Sequence, residues 1–343
     1  MNLDNFQINN YTILIIHMYN PEDLFVVEEP AWHVDSTGYP LTCVDYSPNG
    51  ALVAYSNQPG KIFISSSYEG TVKRTLDQGN AMHPIEGVRF HPSDDSLLLS
   101  ASRDGTILLF NLPRGEIINR QRHLGSSLLA MNVDSFGEVF AIACADGSVR
   151  IYDMENLQRS KALVKLATKT ATSQAVNIYS LIFHPEDSNI LLAAGWNDRV
   201  IFWDLRTGNP ERNLAGPHIR GPALDIRSDV FITGSARDKK QIELWDYGTT
   251  KKIRDININQ NLAGGNILVN SLKVARNGMD IVAGGSGINI AQTYDYASGK
   301  CFGQSQLFQS PVAVTSVSPF GTGIIVGSDS GEISYHMIRI KPA

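Results

Sequence analysis

Apolar and polar residues along this chain alternate in short runs cut by glycine, aspartate, asparagine or serine, the pattern of strands separated by turns. Residues 85–122 show it most clearly: IEGVRFHP, SLLLSAS, TILLFNL and RGEIINRQR are β-prone, and RDG is the turn before the third run. The same four runs recur over approximately 41–76, 127–164, 178–214, 221–256 and 268–306, and three of them over 311–338. Aligned on one position of the third run, the copies place Ser65, Phe110, Tyr152, Trp203, Trp245, Tyr294 and His336 in register, spaced by about 45 residues. Aspartate follows four of these seven, as Asp153, Asp204, Asp246 and Asp295. Outside the copies, LFVVEE at 24–29 and TILIIHMY at 12–19 read as further strands, with NPED at 20–23 as a turn and the pairing of 12–19 left open. Residues 1–10 are expected to be disordered.

Period, strand pattern and the recurring aromatic-Asp pair together resemble the WD-repeat family over roughly residues 24–338. The resemblance implies an all-β fold, a seven-bladed β-propeller of four-stranded antiparallel blades, as one unit over 11–343. It also implies that the strand at 24–29 completes the last blade and closes the ring, which removes an open edge. Family members tie each blade with a hydrogen-bonded chain running from a His before the first strand through a Ser or Thr and a turn Asp to the Trp. A buried aspartate needs such donors. The matching residues are His218, Ser235, Asp238 and Trp245 in blade five, and His83, Ser100 and Asp104 in blade two. Blade three offers His123 and Asp146 with Tyr152, and blade four Asn197 and Trp203. Blades one, six and seven depart further, with Pro59, an irregular GSGINIAQTY segment and Ser330. The sets repeat blade by blade, which a catalytic triad has no reason to do.

Composition narrows the function. The chain has 343 residues, 43% apolar and 18% charged, with a formal charge of −5, and is built to pack. It lacks the basic stripe of a nucleic-acid binder, so no nucleic acid is expected as partner. The apolar run at 11–19 is too short to span a membrane and MNLDNFQINN lacks the basic head of a signal peptide, so no membrane association is expected. Cys43, Cys144 and Cys301 are odd in number and far apart, which points to a reducing, cytoplasmic setting without a disulfide framework. No P-loop, HExxH, GxSxG or GxGxxG stands in its required context, and GGSG at 284–287 reads as a tight turn. The first strands, which the resemblance places around the central channel, read LTCVDY, EGVRF, LLAMNV, YSLIF, ALDI, NSLKV and VAVTSV, mostly apolar or small. A metal-dependent propeller hydrolase would need converging carboxylates there. No catalytic residue, metal or cofactor is therefore expected.

Binding of proteins or peptides remains. In the family, the loops from fourth to first strand and from second to third share one face, and three long segments fall on it: 30–40, 161–177 and 257–267. The residue before the Asp position points to that face and reads Arg103, Ala145, Trp196, Arg237 and Asp329. A Trp flanked by arginines, extended by Tyr179, has the composition of a hot spot, although Trp196 packed against a neighbouring blade is an equal reading. Lys161, Lys165 and Lys169 form one stripe if their segment is helical. With Lys239, Lys240, Lys251, Lys252 and Arg254 they suit an acidic partner, tubulin among them. Trp203-Asp204-Leu205-Arg206 is similar to the WDxR ending of substrate receptors of cullin-type ubiquitin ligases, in which the arginine docks onto the adaptor. The expected function is a non-catalytic scaffold subunit of an intracellular assembly. A cytoskeletal or axonemal propeller, a ligase receptor and a metal-dependent hydrolase are the alternatives.

Overall fold

All regular structure among the described residues is β-strand, arranged as seven antiparallel sheets of four. The structure is a computed structural model that describes residues 25–34, 38–77, 83–122, 125–165, 177–258, 266–275 and 280–340, without the side chains of 159–165 and 340. Six sheets pair their strands in order of sequence. The seventh runs β1 (Phe25–Val34), β28 (Ile333–Ile340), β27 (Gly323–Ser328), β26 (Val312–Val317), so the N-terminal strand closes the ring as fourth strand of the last blade. The first strand of each blade packs beside that of the next, through β2 (Leu41–Tyr46), β6 (Ile85–His91), β10 (Leu128–Val133), β14 (Ile178–Phe183), β18 (Leu224–Arg227) and β22 (Leu268–Val274) to β26 and back to β2.

The repeated third-strand position shows why the period is strict. Ser65, Phe110, Tyr152, Trp203, Trp245, Tyr294 and His336 each stand opposite a buried apolar residue of the second strand: Val53, Leu98, Phe140, Leu191, Phe231, Ile281 and Ile324. Because a blade is covered by neighbours on both faces, both alternating sets of its middle strands are apolar, and a slip of one residue would misplace all of them.

Two rings of side-chain bonds join the blades. Near the channel, Asp45 Oδ2 accepts the Phe90 amide at 2.9 Å, Asn132 Oδ1 that of Phe183 at 3.1 Å and Asp225 Oδ2 that of Val274 at 3.0 Å. Ser180 and Ser271 hydroxyls accept the amides of Leu224 and Thr315 in the same manner. At the rim, fourth-strand side chains donate to carbonyls in the next blade's last turn. Arg74 reaches Pro113 and Arg114, Asn119 reaches Glu155, Arg254 reaches Tyr296 and Ala297, and Trp32 reaches Ser67. Arg212 is the most complete of these, bonded to the Tyr247 and Gly248 carbonyls at 2.6 and 2.9 Å with its guanidinium 4.8 Å from the Phe202 ring and 4.6 Å from the Tyr247 ring. Arg212→Ala is expected to lower the stability by about 2 kcal/mol, read as a shifted urea midpoint, whereas Arg212→Lys recovers less than half because it loses the planar fork. An unchanged midpoint in the alanine variant would mean that the rim bonds contribute nothing.

Several sequence expectations need correction. The closing strand extends past 24–29 to Val34, through bulges around Pro30, so 30–34 belong to strand and not to a long loop. The fourth strand of blade three continues over Arg159–Lys165, so Lys161 and Lys165 lie on a strand and the helical stripe does not exist, while Lys169 lies outside the described residues. In GGSG, Gly284 and Gly285 are strand residues of β23 (Asp280–Ser286), and a Cβ on Gly285 would lie 1.8 Å from the Leu268 carbonyl oxygen. Only Gly287, at φ +103°, takes a left-handed conformation, so close approach and not a turn explains the first two. Segments 1–10 and 12–19 fall outside the described residues.

Candidate functional site

Propeller geometry brings the start of every first strand and the end of every second strand to one face, and a repeated backbone bond fixes what projects there. The amides of Gln58, Arg103, Ala145, Trp196, Ala236 and Asp329 donate to the carbonyls of Pro40, Pro84, Ser127, Asn177, His218 and Pro311. In blade five the residue at this position is therefore Ala236, and Arg237 lies one residue further along. The cause is a longer turn, which leaves β19 (Val230–Gly234) and β20 (Ile242–Asp246) seven residues apart where blade four has three.

Trp196 is 51% exposed and stands at the centre of a cluster. Its ring lies 6.1 Å from that of Tyr179 and 5.4 Å edge-on from that of His218, with the Arg220 guanidinium 5.2 Å from its centroid. The preceding Gly195 explains how the indole is held out: a Cβ there would lie 2.0 Å from the Asn177 carbonyl oxygen, the same atom that accepts the Trp196 amide. Asn177 also donates to the Tyr179 hydroxyl at 3.0 Å. His218 and Arg220 completed the cluster without having been singled out for it in the sequence. Their signal was proximity to the start of blade five's first strand, one blade from Trp196 around the ring.

Beside the cluster, the mouth of the channel opens into a cavity of about 240 Å³ lined by Tyr179, Arg220, Arg103, Glu86, Arg89 and Lys273, among others. Arg103 and Glu86 form an ion pair. Burial pushes the Glu86 carboxyl up, and the charge and hydrogen bond of Arg103 oppose that. The channel is thus more polar than the first-strand sequences suggest. Their apolar residues turn between the blades, and the partly exposed positions, Thr42 and Asp45 in β2 or Glu86 and Arg89 in β6, face the channel.

The remaining candidates are dispersed. Arg237 lies near Glu243 within blade five and does not line the mouth. Asp329 sits on blade seven, where burial raises its carboxyl. Arg206 follows the third strand and so occupies the opposite face, clamped on Asp204 with Nε to Oδ1 at 3.0 Å and Nη2 to Oδ2 at 3.2 Å.

Among the described residues, several of the polar residues expected to link each blade are hydrogen-bonded. His218 Nδ1 meets Asp198 of the preceding blade at 2.7 Å, and its amide donates to Ser235 Oγ. Trp245 Nε1 donates to Thr233 Oγ1 at 3.1 Å, and the Asp238 carbonyl accepts from Gln241 and Asn266. Asp104 is bonded by Thr106; burial pulls its carboxyl up, but those bonds outweigh it and hold it below its ordinary value. Asp146 is bonded by Ser148 and Arg150. Ser100 Oγ and Trp203 Nε1 are buried without a hydrogen-bond partner among the described residues. Asn197 stands in the turn before blade four's third strand, His83 just before β6, and His123 outside the described residues. As for nucleophiles, burial pushes the Cys43 thiol up to about 12, which leaves it protonated.

Comparison with known proteins agrees with this architecture. The family model "WD domain, G-beta repeat" matches residues 77–111, which carry the first three strands of blade two. The chain is 26% identical over 218 residues to the nuclear distribution protein PAC1 of Komagataella phaffii, covering 57% of this chain and 42% of that protein. It is 25% identical over 177 residues to the DDB1- and CUL4-associated factor 7 homolog of Dictyostelium discoideum, covering 49% and 51%. With WD repeat-containing protein 1 of Gallus gallus it shares 24% over 307 residues, covering 87% of this chain and 47% of that one. These matches span about half the length of the relatives. Sheet order makes this chain a seven-bladed β-propeller, and the match over residues 77–111 together with the relatives makes it similar to WD-repeat proteins. Propellers of this type are in general interaction scaffolds that bind other proteins.

Proposed function

We propose that this propeller is a non-catalytic subunit of an intracellular assembly and docks a partner protein or peptide on the face around Trp196. The observation that carries the reading is an exposed indole held by Tyr179, His218 and Arg220 at the rim of a cationic cavity. Aromatic and arginine side chains on a rigid frame lose little conformational freedom when a partner covers them, and they dominate binding energies for that reason. Affinity capture followed by quantitative mass spectrometry compares the native chain with Trp196→Ala/Arg220→Ala. At least one partner is expected to fall by about tenfold or more, and an unchanged partner set refutes this face.

A ligase-receptor role has one supporting observation, the Arg206 side chain at 64% exposure after Trp203-Asp204-Leu205, together with the similarity to a DDB1- and CUL4-associated factor. It uses the opposite face and predicts that Arg206→Ala abolishes adaptor co-purification. The cytoskeletal reading, with tubulin as partner, loses its basic stripe to the strand at Arg159–Lys165.

A further inference from the structure

Charge is unevenly divided along the channel. At the Trp196 end, Arg89, Arg103, Arg220 and Lys273 face a single carboxylate, Glu86. The larger cavity at the other end, about 640 Å³, reverses the balance, with Asp45, Asp134, Glu186 and Asp225 against Arg89, Arg227 and Lys273. Arg89 and Lys273 line both cavities and therefore stand at the waist between them. Of the four cations at the first mouth, Arg103 is paired with Glu86 and Lys273 lies 3.9 Å from Asp225. Arg89 donates only to the Val88 carbonyl, and Arg220 lies over the Trp196 ring, so neither has a carboxylate partner among the described residues. In a chain of net charge −5 these two guanidiniums are a local exception. Low-dielectric walls concentrate their field in the cavity.

We infer that this mouth receives an acidic side chain of a docked peptide segment, its carboxylate drawn to Arg89 and Arg220 while an adjacent apolar residue covers Trp196 and Tyr179. The inference rests on the docking face proposed above and adds the chemistry of what docks there. The cavity has room for one side chain, with Leu129, Met131 and Val314 supplying apolar wall beside the guanidiniums. A nucleic-acid strand would need a continuous basic groove, and the acidic far end of the channel repels a polyanion that passes through it. Arginine suits the task because its fork meets both carboxylate oxygens at once.

The test is selection of a random peptide library displayed on phage against the full chain, followed by synthesis of the enriched peptides. Enriched sequences are expected to share a Glu or Asp next to an apolar residue. Replacing that acid by its amide should weaken binding by about tenfold, and the affinity should fall with added salt. Arg220→Glu and Arg89→Gln should each reproduce the loss, with thermal unfolding as the check of fold, while Arg206→Glu on the opposite face leaves binding unchanged. Peptides that need Trp196 but tolerate both the amide and Arg220→Glu overturn the acidic assignment and leave the docking face standing. A phosphoserine twin that binds more than tenfold tighter than the carboxylate peptide overturns it in favour of phosphate. If no enriched peptide is sensitive to Trp196→Ala, the docking face and the inference fall together.

Discussion

A chain lacking residues 1–34 is expected to lose about 4–8 kcal/mol of folding stability, on the scale of a whole domain's margin, and to accumulate in the insoluble fraction. The strand removed is β1, which touches three blades at once. Within blade seven it pairs with β28 from Phe25↔Ile340 to Val34↔Ile333, and Trp32 stacks on Tyr335 with centroids 6.1 Å apart. Towards blade six, Phe25 packs on Phe302 at 5.8 Å, Val27 fills the space left by Gly303, and His33 meets Gln306 at 2.7 Å. Towards blade one, Trp32 donates to the Ser67 carbonyl at 2.7 Å. Its loss exposes the whole edge of β28 and opens the ring between the first and last repeats.

A buried histidine makes the same clasp sensitive to acid. His336 Nδ1 lies 3.0 Å from the Glu28 carbonyl and Nε2 lies 2.9 Å from Ser334 Oγ. Burial lowers its basicity, against the pull of the Glu28 bond, so the folded chain binds this proton more weakly than the unfolded one. The clasp therefore contributes fully above about pH 6.5 and weakens as pH falls below it. A synthetic peptide spanning residues 24–35 added in trans should restore part of the lost stability by strand addition. The urea midpoint of the truncated chain, with and without peptide, decides the matter; a midpoint equal to that of the full chain would show that the ring does not depend on β1.

Asp280→Asn is expected to stabilise the protein by on the order of 2 kcal/mol near pH 8 and by almost nothing near pH 4. Asp280 opens β23 and pairs with Asp295 at the end of β24 (Ala291–Asp295), with the two residues 4% and 5% exposed. Burial, and then the charge of Asp295, push the Asp280 carboxyl up to about 7. The folded chain thus holds this proton more tightly than the unfolded chain, whose carboxyl titrates near 3.8. Its favourable contribution is complete below that value and is lost as pH rises through about 7. Asparagine keeps the shape and removes the charge, so the difference between variant and native chain should grow across this window. Urea midpoints of both proteins over the pH series test it. A pH-independent difference would place the effect in packing.

How legible each part was depended on the range of the interaction behind it. The third-strand position was readable because Phe110 opposite Leu98 or Trp203 opposite Leu191 is a contact inside one hairpin, and alternation along a strand encodes it directly. Trp196 was readable as an outlier, a large aromatic in a turn. Arg237 was misplaced because the turn of blade five is longer than its neighbours', a difference that counting from the motif cannot detect.

What the sequence by itself determined is the number of repeats, the order of strands within each and the presence of a strand left over to close the ring. These follow from period and alternation, which act between residues close along the chain. Only the tertiary structure decided which side chains from different repeats meet. The Arg212 bond to Tyr247, the Asp45 bond to Phe90 and the lining of one cavity by both Arg89 and Arg220 bring together residues tens of positions apart or more. The angle and distance between blades set those meetings, and they in turn depend on the packing of every blade against its neighbours, so no local pattern records them. The mouth that gives this propeller its character is a property of the closed ring.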